Sequence, residues 1–466
     1  MDVCGVPGLS PAMRGCSDPP LSASVAAAAV PGRCSRRATQ WVPGLLACAA
    51  ALSLLLWGAV RGGSDEIVPQ SLFVAAVAFF VSFSLTPLAA RLARLWGLVD
   101  VPDARKIHAR PTPLLGGAAV YLGFLVSVGG AGAGSAPVAA LLGAAFVLLV
   151  TGILDDRREI PAAVKLMIQG LCTLLVMAAG IVLRILPAGW GGWAEIGNGV
   201  LTLLWIVGLT NAFNFFDGMD GLAAGLGALI ACFLAAAAFS GGQPATAWIA
   251  VALAGSCLGF LPYNFRPGKP ALVFLGDAGS TAIGFVLAAL AVHGEWAESR
   301  PLVSFLCPIL IFWVPIFDMV HITCDRILSG KVNSFRGWLE YVGRDHLHHR
   351  LADLLGSRGL SVTLIFLLSA CFGLNALVLR EAATAGALLL CAQSLLFVIG
   401  VTILERVGRR TPRRRDSAAA AAKETAVRDA PSRDGVAAPP PPRDAVRPHR
   451  GGLPGEEQKC RMSSAS

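Results

Sequence analysis

The sequence has few charged residues. Only 14% of its 466 residues are Asp, Glu, Lys or Arg, whereas 55% are hydrophobic. Soluble globular domains carry roughly a quarter charged residues, so this composition excludes that class. The mean hydropathy of +0.66 places the chain among membrane proteins that cross the bilayer several times.

Cysteine motifs and internal repeats are also missing. The twelve cysteines form no C-x-x-C pair and no Cys/His metal spacing, and seven of them lie inside apolar runs. They are interpreted as small apolar residues of a membrane interior, without disulfides. No repeated halves are visible, although many transporters are built from two such halves.

The net charge of +9 belongs to the two ends of the chain. Residues 406–466 carry 14 basic and 7 acidic side chains, residues 1–40 carry four and two, and residues 41–405 carry twenty of each. A nucleic-acid partner is therefore not expected. Residues 1–40 are predicted to be a disordered extension, and residues 406–466 a disordered basic tail rich in Pro and Ala.

Apolar runs long enough to cross a bilayer occur along most of the chain. These runs are 42–60, 70–90, 113–131, 138–154, 163–183, 199–213, 222–240, 245–262, 271–292, 302–323, 361–379 and 383–404. The predicted fold is all-α, with one extra N-terminal helix in 41–61 and about eleven core helices in a domain over 69–405. "SRRATQW" before the first run also resembles a twin-arginine signal peptide, but no small-residue cleavage site follows, which favours a membrane anchor.

The basic residues between the runs predict the orientation of the chain. With the loops numbered alternately from an inner N-terminus, sixteen Lys and Arg residues fall in inner loops and four in outer loops. This asymmetry predicts that both tails are cytoplasmic.

Polar clusters at the ends of the runs fall on this inner side. "DVPDARKIHARPTPLLGG" (100–117) supplies Lys106 and His108, which suit phosphate binding or simply the inner positive charge. In "GILDDRREIPAAVKL" (152–166), Asp155 and Asp156 end one run and Lys165 opens the next. Adjacent carboxylates at a membrane surface suit a divalent cation or a proton acceptor, the alternative being a solvated loop.

The stretch "NAFNFFDGMDGLAAG" (211–225) separates two apolar runs. Its polar side chains Asn211, Asn214, Asp217 and Asp220 follow one another at intervals of three, so neighbours in the series lie close together on a helix. Asn and Asp oxygens are the ligands that Mg²⁺ accepts, and helix capping would explain only one of the four.

Two further clusters lie nearer the C-terminus. In "FLGDAGSTAIG" (274–284), Asp277 directly precedes an apolar run, where it suits a phosphate or metal site or a helix N-cap. "GRDHLHHRL" (343–351) holds His346, His348 and His349 between two arginines. Zinc is one interpretation, but no Cys or second His group completes a tetrahedral set, which favours hydrogen bonds to a pyrophosphate.

Together the five clusters predict a Mg²⁺ and diphosphate site on the cytoplasmic membrane surface. Acidic residues are expected at the ends of spans and not in their middle, which disfavours the main alternative, an ion-coupled transporter with a carboxylate cation site. A structural scaffold would not need five such clusters on one face.

The five motifs, in this order over residues 70–405, resemble the polyprenyl-phosphate N-acetylhexosamine-1-phosphate transferase family. The resemblance implies transfer of N-acetylhexosamine 1-phosphate from a UDP-sugar to undecaprenyl phosphate in a bacterial inner membrane, with release of UMP. It also implies a Mg²⁺ cofactor, with Mn²⁺ as an alternative, and a homodimer as found in the family. "DHLHHRL" is more similar to the GlcNAc-1-phosphate branch, which initiates wall polymers or polysaccharides such as lipopolysaccharide O-antigen.

Together, the motifs and the resemblance identify candidate site residues. The resemblance implies that Asp155, beside Asp156, deprotonates or orients the lipid phosphate, or else that a carboxylate is a covalent nucleophile. It implies that Asp217 is an essential acid and that Asp220 lies near the nucleotide base. The candidates are Asp155, Asp156 and Asp217 for catalysis, Asn214 and Asp277 for the metal, and Lys106, His108, Lys165, Asn211, Asp220, His346, His348 and His349 for substrate.

Overall fold

The computed structural model describes residues 67–101, 110–131, 134–294, 301–334, 345–383 and 385–403, together with residues 337, 341 and 343. The predicted N-terminal extension, the leading span and the basic tail lie outside these residues, as do Lys106 and His108.

Helices make up most of the described chain. They are α1 (Ile67–Leu95), α2 (Gly116–Gly130), α3 (Ala136–Arg157), α4 (Ala162–Ala178), α5 (Gly192–Phe215), α6 (Leu222–Ser240), α7 (Pro244–Asn264), α8 (Gly276–His293), α9 (Pro301–Ile311), α10 (Trp313–Leu328), α11 (Leu347–Leu355), α12 (Arg358–Glu381) and α13 (Ala385–Ile403). A 3₁₀ turn spans Ala188–Trp190, and two short antiparallel strands, β1 (Val99–Asp100) and β2 (Thr112–Pro113), pair between α1 and α2.

Eight helices of the described chain are long and apolar enough to cross a bilayer, and α9 with α10 makes a ninth if the two form one bent span. The other apolar helices, α2 and α4, have 15 and 17 residues. Of the eleven core spans predicted from the sequence, eight are matched by one helix each and the run 302–323 by the pair α9 and α10. The runs 113–131 and 163–183 are matched by the shorter helices α2 and α4. The prediction of an all-α protein that crosses the membrane several times is confirmed.

Helix α8 is the centre of the helical domain. In its most apolar 18-residue stretch, 83% of the residues are buried inside the protein, compared with 6% in the corresponding stretch of α13. It packs against α2, α3, α5, α6 and α7. Asp277 lies in the first turn of this central helix, so the ends of the surrounding helices can bring their polar residues to it.

Helices α3 and α8 approach each other closely at Gly152. A Cβ atom at Gly152 would lie only 2.3 Å from the Cα atom of Ala278. Small residues allow such contacts between membrane helices, which pack without a hydrophobic driving force between them. Because Gly152 is one turn before Asp155 and Asp156, and Ala278 follows Asp277, this crossing brings the carboxylates of the two helices together.

We expect Gly152→Ala to destabilise the protein by about 1–3 kcal/mol, because the added methyl group pushes against backbone that cannot yield. The matched control is Gly143→Ala on the same helix, where a Cβ atom meets nothing within 4 Å. Thermal unfolding of the purified protein in detergent should show a lower midpoint for Gly152→Ala only. Equal midpoints for the two variants would contradict the close helix crossing.

The predicted span 302–323 is divided between two helices in the structure. It consists of α9 and α10, which are bent by 81° at Phe312. Pro315, in the first turn of α10, has no N–H group to donate to the carbonyl of Ile311, so the helical hydrogen bonds cannot continue across the junction. Beyond the bend, α10 carries polar residues to the histidine motif.

Candidate active site

A cleft of about 730 Å³ opens where the end of α3, the turn between α5 and α6, the end of α7 and the starts of α8, α11 and α12 meet. This volume is typical of small-molecule sites. Carboxylates and cations line the same cleft, and its acidic, basic and imidazole side chains are Asp100, Asp156, Asp217, Asp220, Arg266, Lys269, Asp277, His349 and Arg358. Four of the five sequence clusters therefore contribute carboxylates to one cavity, and the fifth, the histidine motif, contributes His349.

Asp155 and Lys165 form an ion pair beside this cleft. The Nζ atom of Lys165 donates to Oδ2 of Asp155 at 2.7 Å and lies 3.7 Å from Oδ2 of Asp277. The other Asp155 oxygen accepts from the backbone N–H of Ile160 at 2.7 Å. The side chain of Asp155 is only 7% exposed, so its carboxylate is held in place by donors on both oxygens. Lys165 links the Asp155 carboxylate to that of Asp277.

Asp156 lies on the wall of the cleft against the start of α8. Its Oδ1 atom accepts from the backbone N–H of Asp277 at 3.1 Å. Its Oδ2 atom is buried and has no hydrogen-bond partner among the described residues. Gly276 has a φ of +76°, and a Cβ atom there would lie 2.6 Å from this oxygen. Glycine is therefore needed both for the backbone conformation and for the space beside the carboxylate.

The two asparagines of the central motif have different surroundings. Asn214 donates from Nδ2 to Oδ1 of Asp277 at 3.2 Å and to Oγ of Ser280 at 2.8 Å. Asn211 instead donates from Nδ2 to Oε1 of Gln169 at 2.6 Å and joins α5 to α4. The structure thus brings Asn214 to the acidic cluster and places Asn211 in an amide pair behind it. A substrate-binding role for Asn211 stays a prediction.

Asp217 and Asp220 lie in the turn between α5 and α6. Asp220 accepts from the backbone N–H of Ala271 through Oδ2 at 3.1 Å, which ties this turn to the loop before α8. Burial, followed by the charges of Asp277, Asp156 and Asp220, raises the pKa of Asp217 well above its usual value. A carboxylate that like charges surround in this way is suited to binding a cation.

We expect Asp217→Asn to be more heat-stable than the wild-type protein at neutral pH without divalent cations. Because the pKa of Asp217 is raised in the folded state, the carboxyl group stabilises the fold while protonated and this contribution is lost as the pH rises through that pKa. Asparagine cannot ionise, so the difference in unfolding midpoint should shrink as the pH is lowered towards about 4.

The control for this prediction is Asp353→Asn, which changes an exposed carboxylate of α11. Thermal unfolding of the three proteins across this pH range provides the measurement. A wild-type protein as stable as Asp217→Asn at neutral pH would contradict the proposed repulsion.

The three histidines of the "DHLHHRL" motif are placed differently. Only His349 lines the cleft. His346 lies behind it, with Nδ1 2.8 Å from Oδ2 of Asp318. His348 is 1% exposed and lies against the backbone of Gly218, and its ring nitrogens have no hydrogen-bond partner among the described residues. Burial, with the neighbouring histidines and Arg350, lowers the pKa of His348 well below its usual value and so favours its neutral form. Substrate-binding roles for His346 and His348 stay predictions.

Several residues of this region were not among the candidate site residues named from the sequence. Arg266 and Lys269 in the loop before α8, and Arg358 at the start of α12, add cations to the cleft. Asp318 of α10 contradicts the expectation that acidic residues avoid the middle of spans. It lies within the predicted run 302–323 and is fully buried. An ionisable residue in an apolar run is costly without partners, and that signal alone could have identified Asp318.

The donor set fits a magnesium ion. Among the described residues, no three His, Cys, Asp or Glu side chains form a metal-binding group by themselves. Mg²⁺ does not require one, since it keeps several waters and commonly takes one or two carboxylates together with substrate phosphates. The buried, unpartnered Oδ2 atom of Asp156, beside the amide-bonded carboxylate of Asp277, supplies that kind of oxygen.

Known proteins with similar sequences indicate the family of this chain. Residues 138–295 match the model of glycosyl transferase family 4. Over 320 residues the chain is 35% identical to a Bacillus subtilis protein described as a probable undecaprenyl-phosphate N-acetylglucosaminyl 1-phosphate transferase; the match covers 66% of this chain and 85% of that protein.

Two further relatives have related descriptions. The decaprenyl-phosphate N-acetylglucosaminephosphotransferase of Mycobacterium leprae is 33% identical over 63% of this chain and 80% of its own length. The undecaprenyl-phosphate alpha-N-acetylglucosaminyl 1-phosphate transferase of Escherichia coli K12 is 30% identical over 61% and 75%. The chain belongs to the polyprenyl-phosphate N-acetylhexosamine-1-phosphate transferases of glycosyl transferase family 4.

Proposed function

We propose that this protein transfers N-acetylglucosamine 1-phosphate from UDP-GlcNAc to undecaprenyl phosphate and releases UMP. The observation that carries the proposal is the shared cleft, in which carboxylates from four motifs and His349 meet at one end of the membrane helices. The names of the relatives supply the lipid phosphate acceptor and favour a transferase over a transporter. Undecaprenyl and decaprenyl acceptors both occur among them.

In the proposed reaction an oxygen of the lipid phosphate attacks the phosphorus that carries the sugar. A new P–O–P bond forms as the bond to the UMP oxygen breaks, and UMP leaves with the bonding electrons. Phosphoryl transfer depends mainly on positioning and on neutralising charge. Four cationic side chains are suitably charged to bind the phosphates, namely those of Lys165, Arg266, Lys269 and Arg358. His349 can form hydrogen bonds to the diphosphate or the sugar.

The carboxylates at the cleft and Asn214 have different roles in this proposal. Asp155, held by Lys165, orients or deprotonates the lipid phosphate, and Asp220 lies near the nucleotide base. Asp156, Asn214 and Asp277 would hold Mg²⁺, which when bound withdraws charge from the diphosphate. Asp217, whose pKa is raised by burial and then by the charges of Asp277, Asp156 and Asp220, would ionise more readily beside a cation.

The site is proposed to face the cytoplasm of a bacterial cell. The excess of Lys and Arg in the inner loops supports this orientation, and a UDP-sugar is a cytoplasmic substrate in the family that the motifs resemble. The product would then remain in the inner membrane as the first lipid-linked sugar of a polysaccharide or wall polymer.

The test uses membranes from cells that express the full chain. These are incubated with Mg²⁺, undecaprenyl phosphate and UDP-GlcNAc labelled in the sugar and in its attached phosphate. We expect both labels in the lipid fraction together with free UMP, and neither in membranes carrying Asp277→Ala. Omission of Mg²⁺ with added chelator should also prevent the transfer.

Three other results would change the proposal in different ways. Release of UDP in place of UMP would contradict sugar-phosphate transfer. Product from another UDP-N-acetylhexosamine, but not from UDP-GlcNAc, would overturn only the sugar. Full activity with chelator would overturn the metal requirement and leave the reaction itself standing.

A further inference from the structure

Asp318 on α10 contacts the start of α11, the helix that carries His348 and His349. Its side chain is fully buried. The Oδ2 atom lies 2.8 Å from Nδ1 of His346, and Oδ1 accepts from the backbone N–H of Leu347 at 2.7 Å. The guanidinium of Arg350 lies 3.5 Å from the same Oδ1 atom. One carboxylate therefore bonds to His346 and Leu347 and forms an ion pair with Arg350, all within the histidine motif.

The contact with Leu347 caps the N-terminus of α11. The first N–H groups of a helix have no partner inside the helix and are normally capped by a side chain just before it. The N-cap residue here is His346, and its side chain makes no capping hydrogen bond. Asp318 supplies the missing acceptor from another helix, with a negative charge that suits the positive end of the helix dipole.

A second ion pair holds the same segment to α10. Arg326 donates to both oxygens of Asp345 at 2.9 and 2.8 Å, and its guanidinium lies 4.4 Å from the centre of the Tyr341 ring. On α10, Asp318 thus contacts hydrogen-bond donors and a cation of the histidine motif, whereas Arg326 contacts the carboxylate of Asp345. A shifted pairing would bring like charges together. The pair with Arg326 fixes Asp345, just before the helix, on α10, whereas the contacts of Asp318 fix the register of the first turn of α11, residues 346–350.

His349 depends on this register. It lies three residues after His346 and lines the cleft, whereas His346 does not. A small rotation or displacement of the first turn of α11 would move the His349 ring relative to the cleft while leaving the acidic cluster untouched. Misplacement of a catalytic-site group by about 1 Å can cost about 10²-fold in rate.

We infer that Asp318 is a positioning residue of the transfer reaction. It caps α11 and holds His346, and thereby places His349 on the cleft wall where the sugar diphosphate is bound. The inference rests on the proposed function and deepens it, because it names a residue outside the cleft through which the histidine motif is oriented.

The test is a double-mutant cycle in the purified full-length protein, with transfer from UDP-GlcNAc as the assay. Asp318→Asn alone should lower kcat by about 10- to 100-fold. In a His349→Ala background the same substitution should cost less than about threefold, because residues that act through one another are not additive. In an Asp220→Asn background its full effect should remain.

Asp345→Asn is the matched comparator. It breaks an ion pair between the buried Arg326 and the partly buried Asp345, one residue before His346, and leaves the contacts of Asp318 with His346 and Leu347 in place. A purely structural loss should reduce the unfolding midpoint and combine additively with His349→Ala. We expect this additive result for Asp345→Asn and the non-additive result for Asp318→Asn.

The outcomes separate the inference from the function on which it rests. A wild-type protein that forms no labelled lipid from any UDP-N-acetylhexosamine overturns the proposed function. An active wild-type protein with Asp318→Asn within about threefold of it, or with losses that add to those of His349→Ala, overturns the positioning role. If Asp318→Asn yields no folded protein, the cycle is run with His346→Asn, and additive losses there overturn the role equally.

Discussion

Asp277→Asn is expected to lower kcat for sugar-phosphate transfer by about 10³-fold or more. Asp277 lies in the first turn of the central helix α8, where Asn214 donates to one of its oxygens and Lys165 approaches the other. The substitution keeps the size of the side chain but removes the charge that would face Mg²⁺. It also replaces an acceptor by an amide, which cannot satisfy both donors.

The measurement is the formation of labelled lipid from UDP-GlcNAc, with the unfolding midpoint recorded for each protein. Glu195→Gln is the control, because it neutralises an exposed carboxylate in the first turn of α5, at the opposite end of the helix from Asn214. Its activity should equal that of the wild type. An Asp277→Asn protein with more than about a tenth of wild-type kcat would remove Asp277 from the proposed metal site.

Asp155→Asn is expected to lower kcat by about 10²- to 10⁴-fold, the range typical of a lost general base. Asp155 accepts from Lys165 and from the backbone of Ile160, so the substitution also releases Lys165 from its place beside Asp277. Glu159→Gln provides the control, since it changes an exposed carboxylate four residues away. Activity in Glu159→Gln should be unchanged, and similar activities in the two variants would contradict a special role for Asp155.

Isotope exchange in the wild-type protein can distinguish the two proposed mechanisms. A covalent carboxylate would form a sugar-phosphate enzyme and release UMP before the lipid binds, so labelled UMP would exchange into UDP-GlcNAc without lipid. Orientation or deprotonation of the lipid phosphate predicts no such exchange. The partial burial of Asp155 and the donors on both of its oxygens favour the second mechanism.

The acidic motifs could be recognised from the sequence because carboxylates and amides are rare in so apolar a chain. Asp156, Asp217, Asp220 and Asp277 all line the cleft. The same reasoning overlooked Asp318, since a single carboxylate within an apolar run was included in a membrane span. It also grouped the three histidines, although only His349 lines the cleft.

The sequence by itself determined that the chain is helical, crosses a membrane several times and carries its polar motifs between apolar runs. These features depend on the length and composition of continuous segments, which the thickness of a bilayer constrains. The pairing of individual polar atoms was decided only by the tertiary structure. Asn211 meets Gln169, and Lys165 meets both Asp155 and Asp277, because of where helices cross. Those crossings depend on packing between residues far apart in the chain, such as Gly152 against Ala278, which no local pattern encodes.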